Sequence, residues 1–200
     1  MGQSSKQKAP QNGGFAANLV EYVEMFVFAV IFVIVIMTFC VRLCEVDGPS
    51  MNRTLQHGEK LIISDLFYKP KSGDVIVFHQ SDSDVAYYNK PIVKRVIATE
   101  GQYVKIDYSN GLVFVSSDAT FTDDEVLDER AYAYFEGGVW KEALLGREPE
   151  VFFVPEGHLF VMGDNRNNSA DSRNVHIGMV SEASVLGRAL LRISPFTVFK

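Results

Sequence analysis

The stretch GDNRNNSADSR, residues 163–173, is an unusually polar segment of this 200-residue chain. It directly follows the apolar run LFVM, residues 159–162, which has the composition of a buried strand. Eleven residues of this polarity do not continue a strand, and Asp, Asn and Ser side chains readily hydrogen-bond to nearby backbone. The stretch therefore predicts a tight loop packed by its own hydrogen bonds and ion pairs, with an ordinary surface loop as the alternative.

Outward from this loop, short apolar runs separated by turn residues predict many β-strands. Residues 103–107 and 112–116 flank Asn110-Gly111, a strong hairpin signal between two alternating strands. Strands at this spacing predict a mainly β domain built of antiparallel sheets. The predicted strands are 60–64, 74–79, 92–97, 103–107, 112–116, 151–154, 159–162 and 189–193.

The segment 118–150 interrupts this pattern. It begins with a run of acidic residues and continues with aromatic residues and Gly137-Gly138. We interpret residues of about 107–150 as a variable inserted subdomain or a long flap. The alternative is an ordinary solvated helix with its acidic residues on one face.

The stretch MFVFAVIFVIVIMTFCV, residues 25–41, carries no charge. A span of about 17–25 apolar residues can cross a bilayer as a helix, and residues 19–24 can extend this one. A removable secretion signal has an apolar core of roughly 7–15 residues and a small-residue cleavage site, which residues 41–45 do not offer. The span therefore predicts a transmembrane anchor in contact with the lipid bilayer, with a buried core helix as the alternative.

Charge indicates the orientation of the anchor and the classes of partner. Two lysines precede the span and one arginine follows it, which favours a cytoplasmic N-terminus. A net charge of +1 on residues 1–42 leaves −7 on residues 43–200, so no nucleic acid partner is expected. The four histidines are scattered without ligand spacing, and the two cysteines lie in or just past the span. We expect no metal and no cofactor.

Two residues outside the polar loop have chemical potential. Ser50 follows Gly48-Pro49 about nine residues past the apolar span, where a serine is by itself only a turn residue. Lys94 lies inside the apolar run 91–98. If Lys94 points inward, burial lowers its pKa and the amine can act as a base near pH 7. The alternative is that its side chain alternates outward to solvent.

Together these segments resemble the type I signal peptidases. The boxes of that family contain the nucleophile, a Gly-Asp-apolar-Phe motif, a Lys-Arg-Val motif with the general base, and a Gly-Asp-Asn-Arg motif. The resemblance runs from the anchor to Pro195 and implies a signal-peptidase-like β-domain. In this chain the boxes are residues 50–55, 73–78, 94–97 and 163–173.

The resemblance implies a role for each residue of the site. Ser50 would be the nucleophile and Lys94 the general base that takes its proton. The backbone N–H of Ser50 would be one oxyanion donor. Ser169 would hydrogen-bond to Lys94 and orient it, and the remaining residues would support the dyad as two ion pairs. These supporting residues are Asp164 with Arg95, and Asp171 with Arg173.

The chain departs from the family pattern at two positions near Ser50. Gly48 lacks the hydroxyl that some members carry there as a second oxyanion donor, so that donor is unassigned. Arg53 replaces the proline of the first box, which would fix φ and stiffen the turn. Beyond the base, Thr99-Glu-Gly-Gln102 replaces Leu-Pro-Gly-Asp and is expected to be a turn variant.

The resemblance also implies the substrate and the setting. The substrates would be secreted preproteins with small residues at positions −1 and −3, bound as an added extended strand. The chain would be single-pass in the cell membrane, as in the short bacterial enzymes. Its predicted parts are a cytoplasmic N-terminus (1–18), a transmembrane helix (19–43) and an extracytoplasmic catalytic β-domain (44–200).

Two other functions remain open from the sequence. A self-cleaving Ser-Lys repressor or mutagenesis protein shares the dyad, but such proteins have a DNA-binding domain or a short arm in place of an apolar span. A catalytically inactive, membrane-tethered domain that binds exported peptides would explain Gly48 and Arg53, while the presence of Ser50 and Lys94 argues against it.

Overall fold

The structure, a computed structural model, describes residues 14–39, 41–80, 90–135 and 137–199. It has two compact units, residues 1–40 and 41–200. In the first unit, helix α1 (Gly14–Phe39) contains the uncharged span that the sequence predicted to be an anchor. Its segment 18–36 has a mean hydropathy of 2.6, and the helix is about 39 Å long at 1.5 Å per residue. By length and composition it can therefore cross a bilayer.

The boundaries of the anchor and of the domain differ from the predicted ones. Helix α1 is described to Phe39, and Arg42 already begins the first strand, whereas the sequence placed the anchor over 19–43. The segment 42–45 has only four residues and follows the apolar span directly, so it gave no strand signal of its own. Most of the predicted polar N-terminus lies outside the described residues.

The second unit is built of antiparallel strands, which confirms the predicted fold class. Most strands coincide with the apolar runs of the sequence, while β1 and the two-residue strands β9 and β11 were not predicted. The strands are β1 (Arg42–Glu45), β2 (Lys60–Ser64), β3 (Val75–His79), β4 (Pro91–Ala98), β5 (Tyr103–Asp107), β6 (Leu112–Ser116), β7 (Glu150–Phe153), β8 (His158–Met162), β9 (Val180–Ser181), β10 (Val185–Arg192) and β11 (Thr197–Val198).

The larger sheet has the order β1-β2-β10-β3-β4-β8-β9, with β11 paired to β10. Side chains alternate along each strand, and both faces of this sheet are covered. In β3, Val75 and Val77 pack into one hydrophobic cluster while Ile76 and Phe78 pack into another. A strand that is buried on both faces needs apolar residues at successive positions, and residues 75–78 have them.

The pairing of β4 with β8 determines the position of the polar loop. Arg95 lies opposite Met162, the last residue of β8. The loop 163–173 therefore begins beside the segment of β4 that carries Lys94 and Arg95. The strongest motif of the sequence is thus placed next to the predicted base by strand register.

The smaller sheet, β6-β5-β7, forms the variable part of the domain. Its β5–β6 hairpin turns at Asn110-Gly111 as predicted, with Gly111 at a φ of 71°. The described residues of 118–150 hold only a 3-10 turn (Asp123–Glu125) and the one-turn helix α2 (Lys141–Leu144), so the alternative of a solvated acidic helix is wrong. Trp140 lies in a core cluster with residues of both sheets, which fixes the insertion to the domain.

Candidate active site

Ser50 and Lys94 meet at the edge of the domain core. The Nζ atom of Lys94 donates hydrogen bonds to Ser50 Oγ at 2.8 Å and to the carbonyl of Val93 at 2.9 Å. The Lys94 side chain points inward and only 3% of the residue is exposed. Burial lowers the pKa of Lys94 to about 8, although the carboxylates of Asp171 and Asp164 oppose this shift. A neutral amine in this position can accept the Ser50 proton.

Ser50 lies in a turn that buried residues hold on one side. Met51 and Leu55 are buried in the core beneath the turn. The backbone bonds Asn52 N to Pro49 O (3.0 Å) and Leu55 N to Met51 O (2.8 Å) close the turn. Ser50 is therefore fixed by the packing of the residues that follow it.

The polar loop contacts the backbone of Ser50 and Pro49 directly. The Asn165 N–H donates to the carbonyl of Ser50 at 2.9 Å, and its side-chain amide donates to the carbonyl of Pro49 at 3.2 Å. A Cβ atom on Gly163 would lie 2.2 Å from Ser169 Oγ and 2.5 Å from Ser50 O. Gly163 is therefore required for the close approach of this loop to the Ser50 backbone.

Asp164 connects strand β4 with the segment that follows Ser50. It accepts two hydrogen bonds from Arg95, at 2.8 and 2.7 Å, and one from the hydroxyl of Thr54 at 2.5 Å. The Arg95 guanidinium also stacks 4.1 Å from the centre of the Tyr132 ring. The pairing of Asp164 with Arg95 that the resemblance implied is thus a buried, two-pronged ion pair, which has a well-defined geometry.

Asp171 and Arg173 form the second ion pair. Arg173 donates Nε and Nη2 hydrogen bonds to the two Asp171 oxygens, both at 2.8 Å, and the Gly163 N–H donates to Asp171 at 2.9 Å. Burial favours the neutral acid, but the charge of Arg173 and the hydrogen bonds keep the pKa of Asp171 below its ordinary value. The carboxylate therefore stays charged beneath the dyad.

Ser169 lies beside the dyad without the contact that the resemblance implies. Lys94 Nζ donates to Ser50 and Val93, and neither bond involves Ser169. The Ser169 hydroxyl is buried and makes no hydrogen bond of standard geometry with the described residues, although it helps to lower the pKa of Asp171. Its orienting role stays a prediction.

Sequence reasoning missed a third buried ion pair. Arg166, inside the polar loop, donates two hydrogen bonds to Glu129 of the insertion, one of them at 2.6 Å. The Arg166 N–H donates to the carbonyl of Tyr134, and the Tyr134 N–H donates to that of Asp164. The insertion thus holds the polar loop in place. Arg166 was visible in the motif, but its partner Glu129 was one of several acids in a run.

A cleft of about 380 Å³ opens at the dyad. It is lined by the chain segments 46–51, 90–94 and 167–170 and by Asn174. In the described part of the chain the Ser50 N–H has no acceptor, while the Gly48 N–H donates to His57 Nδ1 at 3.2 Å. The geometry is consistent with Ser50 N–H as an oxyanion donor and leaves the second donor unassigned. The described residues include no cluster of metal-ligating side chains.

Known proteins match this chain over almost its whole length. The family model described as signal peptidase, peptidase S26, matches residues 19–194. Signal peptidase IB of Staphylococcus aureus is 29% identical over 188 residues, covering 91% of this chain and 93% of the relative. The probable signal peptidase I-1 of Synechocystis is 31% identical over 182 residues, covering 88% and 82%.

A solved signal peptidase I from Enterococcus faecalis is 26% identical, with a TM-score of 0.37, and covers 60% of this chain and 97% of that one. The family assignment rests on the sequence matches, which extend from the apolar helix to the last long strand. The chain therefore belongs to the signal peptidase family, peptidase S26, and is a serine endopeptidase that acts on signal peptides.

Proposed function

We propose that this protein is a membrane-anchored endopeptidase that removes signal peptides from secreted preproteins by Ser50-Lys94 dyad catalysis. The observation that carries the proposal is the 2.8 Å contact between Ser50 Oγ and a buried Lys94 whose pKa is lowered to about 8. At pH 7 about one molecule in ten then holds a neutral amine at the nucleophile. No other pair of a nucleophile and a base in this state occurs among the described residues at the cleft.

The reaction proceeds in two halves. Ser50 Oγ attacks the scissile carbonyl carbon while its proton passes to Lys94 Nζ. The carbon–nitrogen bond breaks, and Nζ returns the proton to the leaving amine, which leaves an ester on Ser50. Lys94, neutral again, takes a proton from water as the water oxygen attacks the ester carbon; the bond between that carbon and Ser50 Oγ then breaks, and Nζ returns the proton to Oγ as the acid leaves. Histidine is not needed for this sequence.

The developing oxyanion requires donors aimed at it. The Ser50 N–H is free for this purpose in the described structure, and it stands on the residue that attacks. The Asn165 side-chain amide donates to the carbonyl of Pro49, which shares a peptide unit with the Ser50 N–H, so the orientation of this unit is restrained. The three buried ion pairs position the dyad and take no part in proton transfer.

The cleft supports a substrate bound in extended form. It is lined by residues 46–51, which include Ser50, and by residues 90–94, which include Lys94. An extended peptide in this cleft would present alternate side chains to the domain, which is the arrangement that preproteins with small residues at −1 and −3 would use. This is the substrate class of secreted preproteins.

The apolar helix supports a membrane setting. Only two residues separate the last residue of α1, Phe39, from the first of β1, Arg42, so the catalytic domain follows the span directly in the sequence. A signal peptide has its own apolar core in the same bilayer, and its cleavage site emerges close to the surface. The cell membrane, with the N-terminus cytoplasmic and residues 44–200 outside, is the setting that fits this substrate.

The two alternative functions lack a comparable observation. A self-cleaving repressor has no use for an apolar helix of this length. An inactive peptide-binding domain would have no reason to bury a lysine against a serine at a cost in desolvation. The family assignment and the dyad geometry both favour the peptidase.

The test is cleavage of a purified preprotein by the full chain in detergent. Wild type is compared with Ser50→Ala and with Ser109→Ala, a matched serine in the turn before β6. We expect cleavage by wild type and Ser109→Ala, with mature product and free signal peptide in equal amounts, and none by Ser50→Ala. Equal cleavage by all three would show that Ser50 is not the nucleophile, and no cleavage by wild type would favour the binding domain.

A further inference from the structure

A second groove adjoins the catalytic cleft on the opposite side of the nucleophile turn. It has a volume of about 730 Å³ and shares Asp47, Gly48 and Pro49 with the cleft. Its other lining residues include Asn52, Arg53 and Tyr134. A peptide that crosses Ser50 can therefore continue from the cleft into this groove without leaving the surface.

Arg53 is the prominent cation of this groove. Its backbone has a φ of 43°, in the left-handed region, and its guanidinium lies 4.4 Å from the centre of the Tyr134 ring. Stacking on a ring occupies the face of a guanidinium and leaves its N–H groups free at the edge. Among the described residues Arg53 has no carboxylate partner, although it is exposed and charged.

The other charges of the groove are already paired. The Asp47 carboxylate lies 3.4 Å from Lys90 Nζ. Asp47 is therefore paired with Lys90, and among the described residues it forms no ion pair with Arg53. The groove presents a planar cation on an aromatic platform, which suits the two oxygens of a carboxylate.

The direction of the substrate follows from the chemistry. In the proposed function the acyl half stays on Ser50 in the cleft with Lys94, where water must later reach it. The half that leaves must extend the other way, and the second groove begins there. We propose that this groove binds the first residues after the scissile bond and that Arg53 selects an acidic side chain among them. This inference rests on the proposed function.

The proposed preference for an acidic side chain depends on Arg53 and is therefore specific to this chain. Proline, which the related box carries, fixes φ near −65° and offers no charge. A φ of 43° is closed to proline, so Arg53 brings both a different turn and a cation to the groove. The specificity that we infer therefore does not extend to chains with proline there.

The experiment uses the full chain in neutral detergent and variants of one preprotein. At each of the first four positions after the cut, in turn, the preprotein carries Glu, Gln or Lys. The readout is the ratio of kcat/KM for Glu over Lys within each enzyme variant. For wild type we expect a ratio of roughly two to five at one position. Arg53→Lys should keep the preference, Arg53→Gln should remove it, and Arg53→Glu should invert it.

Lys69→Glu is the matched control, because Lys69 is an exposed cation in the turn between β2 and β3 and its substitution changes the net charge equally. It should keep the wild-type ratio. The inference is overturned if the Arg53 variants keep that ratio, or if Lys69→Glu shifts it as much as Arg53→Glu does. It is also overturned if Arg53→Glu weakens binding to vesicles of anionic lipid and leaves the ratio unchanged, since Arg53 would then contact lipid.

Failure of the proposed function has a different signature. It would show as equal cleavage by wild type and Ser50→Ala, whatever the side chain after the cut. Cleavage that depends on Ser50 but ignores the charge of residue 53 would remove only the present inference.

Discussion

Asp171–Arg173 and Asp128–Arg130 are two ion pairs with the same spacing and nearly the same geometry. In each, the arginine two residues after the aspartate donates from Nε and Nη2 to the two carboxylate oxygens, at 2.7–2.8 Å. The side chains of the first pair are 0% and 7% exposed, and those of the second 63% and 90%. The same local motif is thus structural in one environment and solvated in the other.

The difference shows that burial, and not the local motif, makes the ion pair of loop 163–173 important for the fold. Asp171 lies beneath Lys94 and holds the Gly163 N–H, whereas the Asp128 and Arg130 side chains reach water. A buried charge must be paired because the interior does not solvate it, but an exposed pair competes with water and salt. Each prediction below alters one side of this contrast.

The largest effect is expected from Asp171→Ala. Removing the carboxylate leaves Arg173 charged and buried, which costs about 3–5 kcal/mol of the free energy of unfolding. The matched variant is Asp128→Ala, which removes the same group from the exposed pair and should leave that free energy within experimental error. Denaturant unfolding of the full chain in detergent measures both. Equal losses in the two variants would contradict the role of burial.

Lys94→Met tests the buried lysine that lies next to these ion pairs. Methionine has a similar volume and needs no partner, so the fold should be at least as stable as wild type. Cleavage of a preprotein should fall about a hundredfold to a ten-thousandfold, because the proton acceptor is gone. A large loss of stability at pH 7, or cleavage within tenfold of wild type, would show that Lys94 is structural and not the base.

The strand framework could be predicted well because alternation and turn residues are local signals. The hairpin around Asn110-Gly111 and the strand that carries Lys94 lie where the sequence placed them. Strand β1 was missed because it is four residues long and merges with the apolar span. Two-residue strands such as β9 exist only through their neighbour, β8.

The site was predictable where its residues share a motif and not where they come from distant segments. Ser50, Lys94 and the loop came from the family resemblance, and the structure brings all of them together. Glu129 is 37 residues from its partner Arg166, and nothing in the acidic run distinguishes it from Asp128, which is exposed. Only the tertiary structure decides which acid is buried.

The pH dependence gives a smaller effect with a defined sign. The pKa of Lys94 is about 8 in the folded protein, so the neutral fraction rises from about a tenth at pH 7 to about nine tenths at pH 9. The rate with a saturating preprotein should therefore rise about tenfold over this range, with a midpoint near pH 8. A flat profile, or a midpoint near the ordinary lysine value, would contradict Lys94 as a neutral base.

The same shift affects stability. Between about pH 8 and the ordinary value of 10.5, the unfolded chain binds more protons at Lys94 than the folded protein does. The free energy of unfolding should therefore rise with pH across this window. Lys94→Met lacks this group and is the control, because its unfolding should lack that part of the pH slope. Equal slopes in the two proteins would mean that Lys94 is not shifted.

The smallest effect concerns the exposed turn of the nucleophile, where Arg53 adopts a φ of 43°. Arg53→Gly should change the free energy of unfolding by less than about 1 kcal/mol, because glycine adopts this conformation without steric cost. Arg53→Pro should cost more than Arg53→Gly and should slow cleavage, because proline cannot reach a positive φ and would displace the turn behind Ser50. Unfolding and cleavage measured on both variants separate the two effects. If Arg53→Pro is as stable and as active as Arg53→Gly, the turn can accommodate proline. Substitution at position 53 would then have as little effect as substitution in the exposed ion pair.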